Sequence, residues 1–130
     1  MTLYMLDTNI ASAIMRGREP VLLQRLVTLP IENVMVSGIT EAELLYGLIK
    51  HGNSVDLAKR ITAFLRHVTV RDWNSHASLC YGQLRTACDA RGKSLSSMDM
   101  LIAAHALAVN AVLVSRDNAF ANAGIAVEVW

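Results

Sequence analysis

The sequence is poor in the residues that most often announce a function. Its 130 residues hold two cysteines, two prolines and seven aromatics, and the formal net charge is only +1. Cys80 and Cys88 lie eight apart in a helical pattern, with no C-x-x-C spacing and no neighbouring pair of histidines. Reduced, partly buried thiols are therefore expected, not a zinc site or a disulfide. Most of the aromatics fall within apolar patterns, which leaves no base-stacking platform of the kind single-strand binders use. Near-neutral charge excludes the global basic field common in DNA-binding proteins. It does not exclude RNA, because a few local Lys and Arg, or bound metal, can hold phosphates. No apolar run approaches the length of a membrane span, and no basic region precedes the first apolar residues. The expectation is a soluble cytoplasmic protein. Repeats, low-complexity stretches and linkers are absent as well.

What the chain does have is a core. With 53% hydrophobic residues it is long enough for one full domain, residues 1–130, and too short for two. Short apolar runs, Leu3–Leu6, Val34–Ser37, Val68–Val70, Val112–Ser115 and Ile125–Val129, read as five strands. Between them lie helical patterns: residues 8–15 stopped by Gly17, Pro20 to about Leu29 closed by Pro30, and residues 40–48 with Ala42, Leu45, Leu48 and Ile49 as the apolar stripe. Further helices are carried by Leu57, Ile61, Phe64 and Leu65, by Trp73–Arg91 ended at Gly92, and by the strongly apolar Met98–Val109. Asp117–Ala121 reads as a turn or short helix. This alternation predicts an α/β fold whose five-stranded, mainly parallel sheet has helices on both faces.

Four of the eleven acids converge on one edge of such a sheet. Asp7 follows the first strand, Glu43 lies in the first turn after the second, Asp117 follows the fourth, and Asp99 opens the buried helix leading into that fourth strand. Ligands bind beyond the carboxyl ends of strands in open α/β sheets. A plainer reading competes: Thr40-x-x-Glu43 and Ser96-x-x-Asp99 fit the capping-box pattern, and Asp7 suits a helix cap. Yet the helices starting near Pro20 and Ser54 carry no acid at the third position, and Asp99 precedes the apolar Met100–Ala104, which would press its carboxylate against a low-dielectric wall. Clustered carboxylates raise one another's pKa unless a cation compensates. With only oxygen donors on offer, that cation would be Mg²⁺ or Mn²⁺, not zinc. A few carboxylates holding one or two such ions are what phosphodiester hydrolysis requires.

Four motifs in this order and spacing carry a resemblance: Met5-Leu6-Asp7-Thr8-Asn9; Ile39-Thr40 with Glu43-Leu44 and Tyr46-Gly47; Asp99 with Ile102-Ala103-Ala104-His105-Ala106; and Leu113-Val114-Ser115-x-Asp117. The chain resembles, end to end, the PIN-domain ribonucleases, and within them the VapC toxins of bacterial toxin–antitoxin pairs. The resemblance implies a PIN-like fold, usually dimeric, with Asp7, Glu43, Asp99 and Asp117 as the metal site. It implies that Thr8, Asn9 and Ser115 position the carboxylates or the water. Arg85 matches a basic position common in these toxins and would hold phosphate, with a solvated or ion-paired helix arginine as the equal alternative. It further implies a Mg²⁺-dependent endoribonuclease (Mn²⁺ a substitute), cutting a tRNA or ribosomal RNA loop to 5′-phosphate and 3′-hydroxyl ends, neutralised by a VapB-like antitoxin, and forming a homodimer or a hetero-oligomer with it. Two departures stand out. Arg116 occupies a position where many relatives carry a small or amide residue, and would contact substrate phosphate or pair with Asp117. The loop Ser94–Ser97 lacks the proline many relatives have.

Other readings fit less well. A haloacid-dehalogenase-type phosphatase needs a second Asp where Asn9 stands, and a receiver domain needs a Lys after its last strand, whereas no Lys follows Lys93. A PIN-like module that binds RNA or protein without cutting is the stronger rival. His105, six residues after Asp99 and so about 240° round the helix, is expected to face away from the metal as a packed, hydrogen-bonded residue. Lys50, Lys59, Arg60 and Arg66 read as solvated helix faces, with a basic rim for RNA as the alternative.

Overall fold

The computed structural model describes residues 1–130. Strand β1 (Tyr4–Leu6) leads into α1 (Thr8–Arg16) and α2 (Pro20–Val27); β2 (Val34–Ser37) into α3 (Gly38–Lys50) and α4 (Val55–Leu65); β3 (Thr69–Arg71) into α5 (Ser75–Ala90) and α6 (Ser97–Ala108). Then β4 (Val112–Val114) is followed by a 3₁₀ segment (Asn118–Ala123) and β5 (Val127–Glu128). The sheet order is β3-β2-β1-β4-β5 and every pairing is parallel. The first strand of the chain is thus the central one.

Neighbouring residues on each central strand point to opposite faces, and each face has its own core. Leu6, Val34, Val36 and Val114 pack with Ile10, Leu22, Leu26 and Phe64 from α1, α2 and α4. Met5, Met35 and Leu113 pack with Cys80, Leu84, Ile102 and Phe120 on the other side. This double burial explains why the strands read as unbroken apolar runs. Both cysteines are free and sit in the second core. No helix is long and apolar enough to cross a membrane.

Register carries the fold to its functional edge. Leu6 lies opposite Val36 on one side and Val114 on the other, so the next residues, Asp7, Ser37 and Ser115, arrive side by side at the carboxyl ends of the three central strands. The Asp7 N–H donates to the Val114 carbonyl at 3.0 Å, extending the ladder one step. Immediately beyond, α1 runs only until Gly17, whose left-handed φ of 69° lets its N–H turn back onto the Ile14 carbonyl.

Some boundaries differ from expectation. Helix α2 ends at Val27, two residues before Leu29, β3 lies one residue later than Val68–Val70, and the edge strand β5 is only two residues long. The larger difference is in α3. It starts at Gly38, capped by the Ser37 hydroxyl, which accepts from the Ile39 N–H at 3.0 Å. Thr40 is therefore inside the helix, no capping box exists there, and Glu43 stands in the second turn. The inward face is Thr40, Leu44 and, in part, Leu48; Leu45 and Ile49 are exposed, as is Ala42. A helix with apolar residues on two sides defines no unique stripe, and the spacing Thr40–Leu44–Leu48 is the one that meets the sheet.

Candidate active site

Asp7 is the anchor of the site. Its extended backbone ends β1 and caps α1, with Oδ1 accepting from the Ile10 N–H at 2.8 Å and Oδ2 accepting from the Ser115 hydroxyl at 2.6 Å. The residue is only 3% exposed. Burial pushes its carboxyl above the usual range; the bonds from Ser115 and Ile10 pull it down, and the charges of Asp99 and Asp117 push it up again. Asp7 is thus a helix cap through Oδ1, while Oδ2 is held by Ser115 at the edge that Asp99 and Asp117 approach. The Ser115 hydroxyl, 108 residues from Asp7, also accepts from the Asp117 N–H at 3.0 Å, so a single Oγ ties the first acid to the backbone of the fourth.

The remaining acids approach from three elements. Asp99 lies in the first turn of α6, whose cap Ser96 accepts from the Asp99 N–H at 3.2 Å. The returning carboxylate bond of a capping box is not made; the Asp99 side chain instead acts on Asp7. Asp117, exposed, caps the 3₁₀ segment through Oδ1 to the Ala119 N–H at 2.9 Å. Glu43 is half-buried, and its Oε1 accepts from the Thr8 hydroxyl at 2.6 Å, while Thr8 lies 3.1 Å from the buried Thr40 hydroxyl. Asp7 thus feels the charges of Asp99 and Asp117, and Glu43 is linked to it through Thr8, the next residue in the chain.

None of the four acids is ion-paired: the three salt bridges of the structure are Arg25–Glu128, Arg60–Asp56 and Arg116–Glu19. No three His, Cys, Asp or Glu side chains stand close enough together to hold a metal ion as they are placed. The donor chemistry nevertheless fits a hard divalent cation: every candidate ligand is a carboxylate oxygen, and the buried one is destabilised by two like charges with no Lys or Arg beside it in a salt bridge.

The profile of the PIN domain family matches residues 4–126, from the first residue of β1 to the threshold of β5. The chain belongs to the PIN-domain family. Ribonuclease VapC2 of Rickettsia felis is 33% identical to it over 116 residues, 88% of this chain and 87% of the relative. The tRNA(fMet)-specific endonuclease VapC of Shigella flexneri is 26% identical over 117 residues, 90% of this chain and 88% of that one. The crystal structure of VapBC2 from Rickettsia felis, bound to a DNA fragment from its promoter, superposes with a TM-score of 0.92 at 30% identity, covering 99% of both chains. Within the PIN domains this one is of the VapC type.

The structure distributes the other expected residues of this PIN domain unevenly. Thr8 and Ser115 touch the acids, as expected. Asn9 is exposed and lines a cleft beside Asp117. Arg116 does not pair with Asp117: its guanidinium meets Glu19 with both terminal nitrogens, at 2.8 and 3.1 Å, and its Nε donates to the Trp130 carbonyl at 3.0 Å. An extended planar carboxylate offers Arg116 a bidentate partner, and Asp117 is already turned to its own backbone. Arg85 is not brought to the acids by any contact; on exposed α5 it donates to the Tyr81 hydroxyl at 2.7 Å, beside a cavity of about 170 Å³ that also borders Ser94 and Ser97.

Ser37 and His105 complete the second tier of the PIN-domain edge. His105 is buried, with Nδ1 2.7 Å from the Ser37 Oγ and its ring edge-on to Trp73 at 5.3 Å. Burial holds its pKa below the usual value, helped by the charge of Arg71 and opposed by a hydrogen bond to the Asp72 backbone. It ties α6, which carries Asp99, to the start of α3, which carries Glu43. Ser37 and Thr40 were not singled out by sequence reasoning as site residues. The available signal was the pattern itself: Leu6-Asp7, Val36-Ser37 and Val114-Ser115 are three apolar strands that each end in a small polar residue.

Proposed function

We propose that this VapC-type PIN domain is a Mg²⁺-dependent endoribonuclease toxin that hydrolyses a phosphodiester in a structured RNA, a tRNA or ribosomal RNA loop. The observation that carries the reading is Asp7: a buried carboxylate held in a fixed orientation by two donors, crowded by Asp99 and Asp117 and in no salt bridge. Asp7, Asp99, Asp117 and Glu43 are the residues that would hold Mg²⁺, with Mn²⁺ a substitute. When bound, such an ion lowers the pKa of an attacking water and neutralises the leaving oxygen.

The chain's own residues supply orientation and proton handling. Ser115 fixes Oδ2 of Asp7 while the α1 N-terminus fixes Oδ1, so the carboxylate cannot rotate away. Thr8 occupies Oε1 of Glu43, leaving Oε2 as the acceptor for a proton of the attacking water. The similarity to the tRNA(fMet)-specific endonuclease of Shigella flexneri supports tRNA as the substrate class. The VapBC2 neighbour supports a VapB-like antitoxin as partner. An apolar groove of about 230 Å³ lined by Ile14, Met15, Leu23, Leu26 and Phe64 suits the side chains of such a protein. Exposed Leu45, Tyr46 and Ile49 on α3 favour a homodimer or hetero-oligomer. The non-cutting rival is disfavoured because all four acids are intact in the sequence and Asp7 bears an electrostatic cost that mere scaffolding does not require.

Purified protein incubated with total cellular RNA, with Mg²⁺ or with EDTA, tests this, the products being mapped at their 5′-phosphate ends. Cleavage at discrete sites only with metal is expected. Cleavage in EDTA would overturn the metal-dependent reading, and no cleavage with any divalent cation would return the protein to the non-cutting class. Growth inhibition on expression alone, relieved by co-expressing the adjacent reading frame, is the expected cellular counterpart.

A further inference from the structure

Beside the acids lies a cleft of about 410 Å³ between α1 and the loop after β4, lined by Asn9, Ile10, Ala13, Arg16, Arg116 and Asp117. Two guanidinium groups face a space that opens directly onto the fourth acid. They are not equivalent. Arg116 is occupied by the carboxylate of Glu19 and by the Trp130 carbonyl. The Arg16 side chain has no salt bridge, although it lies near enough to Glu19 to lower that carboxyl's pKa along with Arg116. The cleft therefore sets two guanidinium groups beside Asp117, and of the two only Arg116 is held in a salt bridge.

We propose that this cleft is the seat of a backbone phosphate of the bound RNA next to the one that is cut, taken by Arg16, with Glu19 a removable stand-in that keeps Arg116 extended until the strand arrives. The assignment rests on the ribonuclease reading for the nature of the strand. Geometry and charge favour it. A phosphate adjoining the scissile one must lie beside the carboxylates, where it needs a cation to offset them. Planar guanidinium groups match its oxygens in the bidentate manner in which Arg116 already meets Glu19. Glu19 and Arg116 are both well exposed, so their pair is weak and exchangeable. Arg116 keeps one N–H on each terminal nitrogen for a second acceptor, so a phosphate can enter before Glu19 leaves.

The test is equilibrium binding of a short labelled single-stranded RNA to the full-length protein in EDTA, over a range of salt. Each phosphate contact to a single strand adds about 0.7 to the slope of log affinity against log salt. Arg16→Gln is expected to lower the slope by about that amount, so over roughly a fourfold rise in salt its affinity falls about threefold less than that of wild type. Glu19→Gln, which frees Arg116 and removes the competing anion, is expected to bind RNA more tightly than wild type at low salt. Arg18→Gln, which removes an equal charge from the same surface without lining the cleft, is the control. If Arg16→Gln leaves the slope unchanged, if Arg18→Gln lowers it as much, or if Glu19→Gln binds no more tightly, the assignment is overturned. Thermal melts confirm that each variant is folded, and all three side chains are exposed. Because no metal and no cleavage enter, this result is independent of whether the protein proves to cut RNA.

Discussion

Replacing Asp7 by Asn puts the site's electrostatics to a direct test, because Asn is close in shape to the protonated acid. The cap survives: Asn retains an oxygen to accept from the Ile10 N–H and is among the best N-cap residues. Ser115 loses an acceptor and gains a donor, at a cost of about 1 kcal/mol. Losing a negative charge at the start of α1 costs roughly 0.3–1 kcal/mol more. Against this stands removal of a buried charge and of its repulsion with Asp99 and Asp117. The raised pKa of Asp7 already includes the opposing hydrogen bonds, so the balance favours the neutral side chain. Each pKa unit corresponds to about 1.4 kcal/mol, and disarmed functional sites commonly gain about 1–2 kcal/mol. We expect the metal-free variant to melt roughly 3–8 °C above wild type at neutral pH. The sign with pH follows from linkage. A carboxyl raised in the folded state binds protons more tightly than in the unfolded one. Wild type therefore loses stability as pH climbs from the ordinary value of 3.8 through the raised one, and keeps that deficit above it. The advantage of the variant must shrink on acidification and vanish below the unfolded value. Added Mg²⁺ reverses the order in part, since an ion at tenfold its Kd stabilises the binder by about 1.4 kcal/mol and the variant forfeits most of that. Urea melts at two pH values, with EDTA and with Mg²⁺, measure all three effects. A variant less stable than wild type by the same margin at both pH values would refute the reasoning.

Other perturbations separate the remaining roles. Glu43→Gln removes no cap, so its melting should stay within about 0.5 kcal/mol of wild type while initial cleavage rates fall roughly 10²-fold or more. Ser115→Ala strips a donor from Asp7 and an acceptor from the Asp117 N–H; a loss of about 1–3 kcal/mol is expected, with the pH midpoint of cleavage moved upward as the Asp7 carboxyl rises further. His105 is held below its ordinary value of 6.5, so wild type should lose stability as pH falls through that value and the unfolded chain gains the proton. His105→Gln should cost about 1–3 kcal/mol at neutral pH through the lost Ser37 bond, flatten that acid limb in chemical denaturation, and leave the stabilisation by Mg²⁺ intact.

How much of this was legible in the sequence depends on the range of the interaction. The central strands were legible because both faces are buried, which leaves an apolar run with no polar interruption until the residue that ends it. Asp7, Asp99 and Asp117 were legible for the same reason: they follow or feed those runs. Thr40-x-x-Glu43 misled locally, since the pattern imitates a cap while Ser37, three residues earlier, does the capping. The stripe of α3 misled because Ala42, Leu45 and Ile49 repeat as regularly as Thr40, Leu44 and Leu48, and only the sheet chooses between them. The partner of Arg116 was beyond reach, because Glu19 lies 97 residues away in α2's approach and nothing in either segment marks the other.

The central position of β1 has a consequence for how the protein is made. Asp7 leaves the ribosome more than a hundred residues ahead of β4, the strand that closes its second side, and of the serine that orients it. A contact of that separation forms late, and a domain of this kind folds as a unit once its last strand is available. Until then Asp7 is an ordinary solvated aspartate with no fixed geometry. A growing chain therefore carries no assembled acid cluster until β4 and Ser115 have been made. For a protein that would cut RNA, strand order alone postpones the hazard for the whole interval between β1 and β4, time in which an inhibitory partner can already be present.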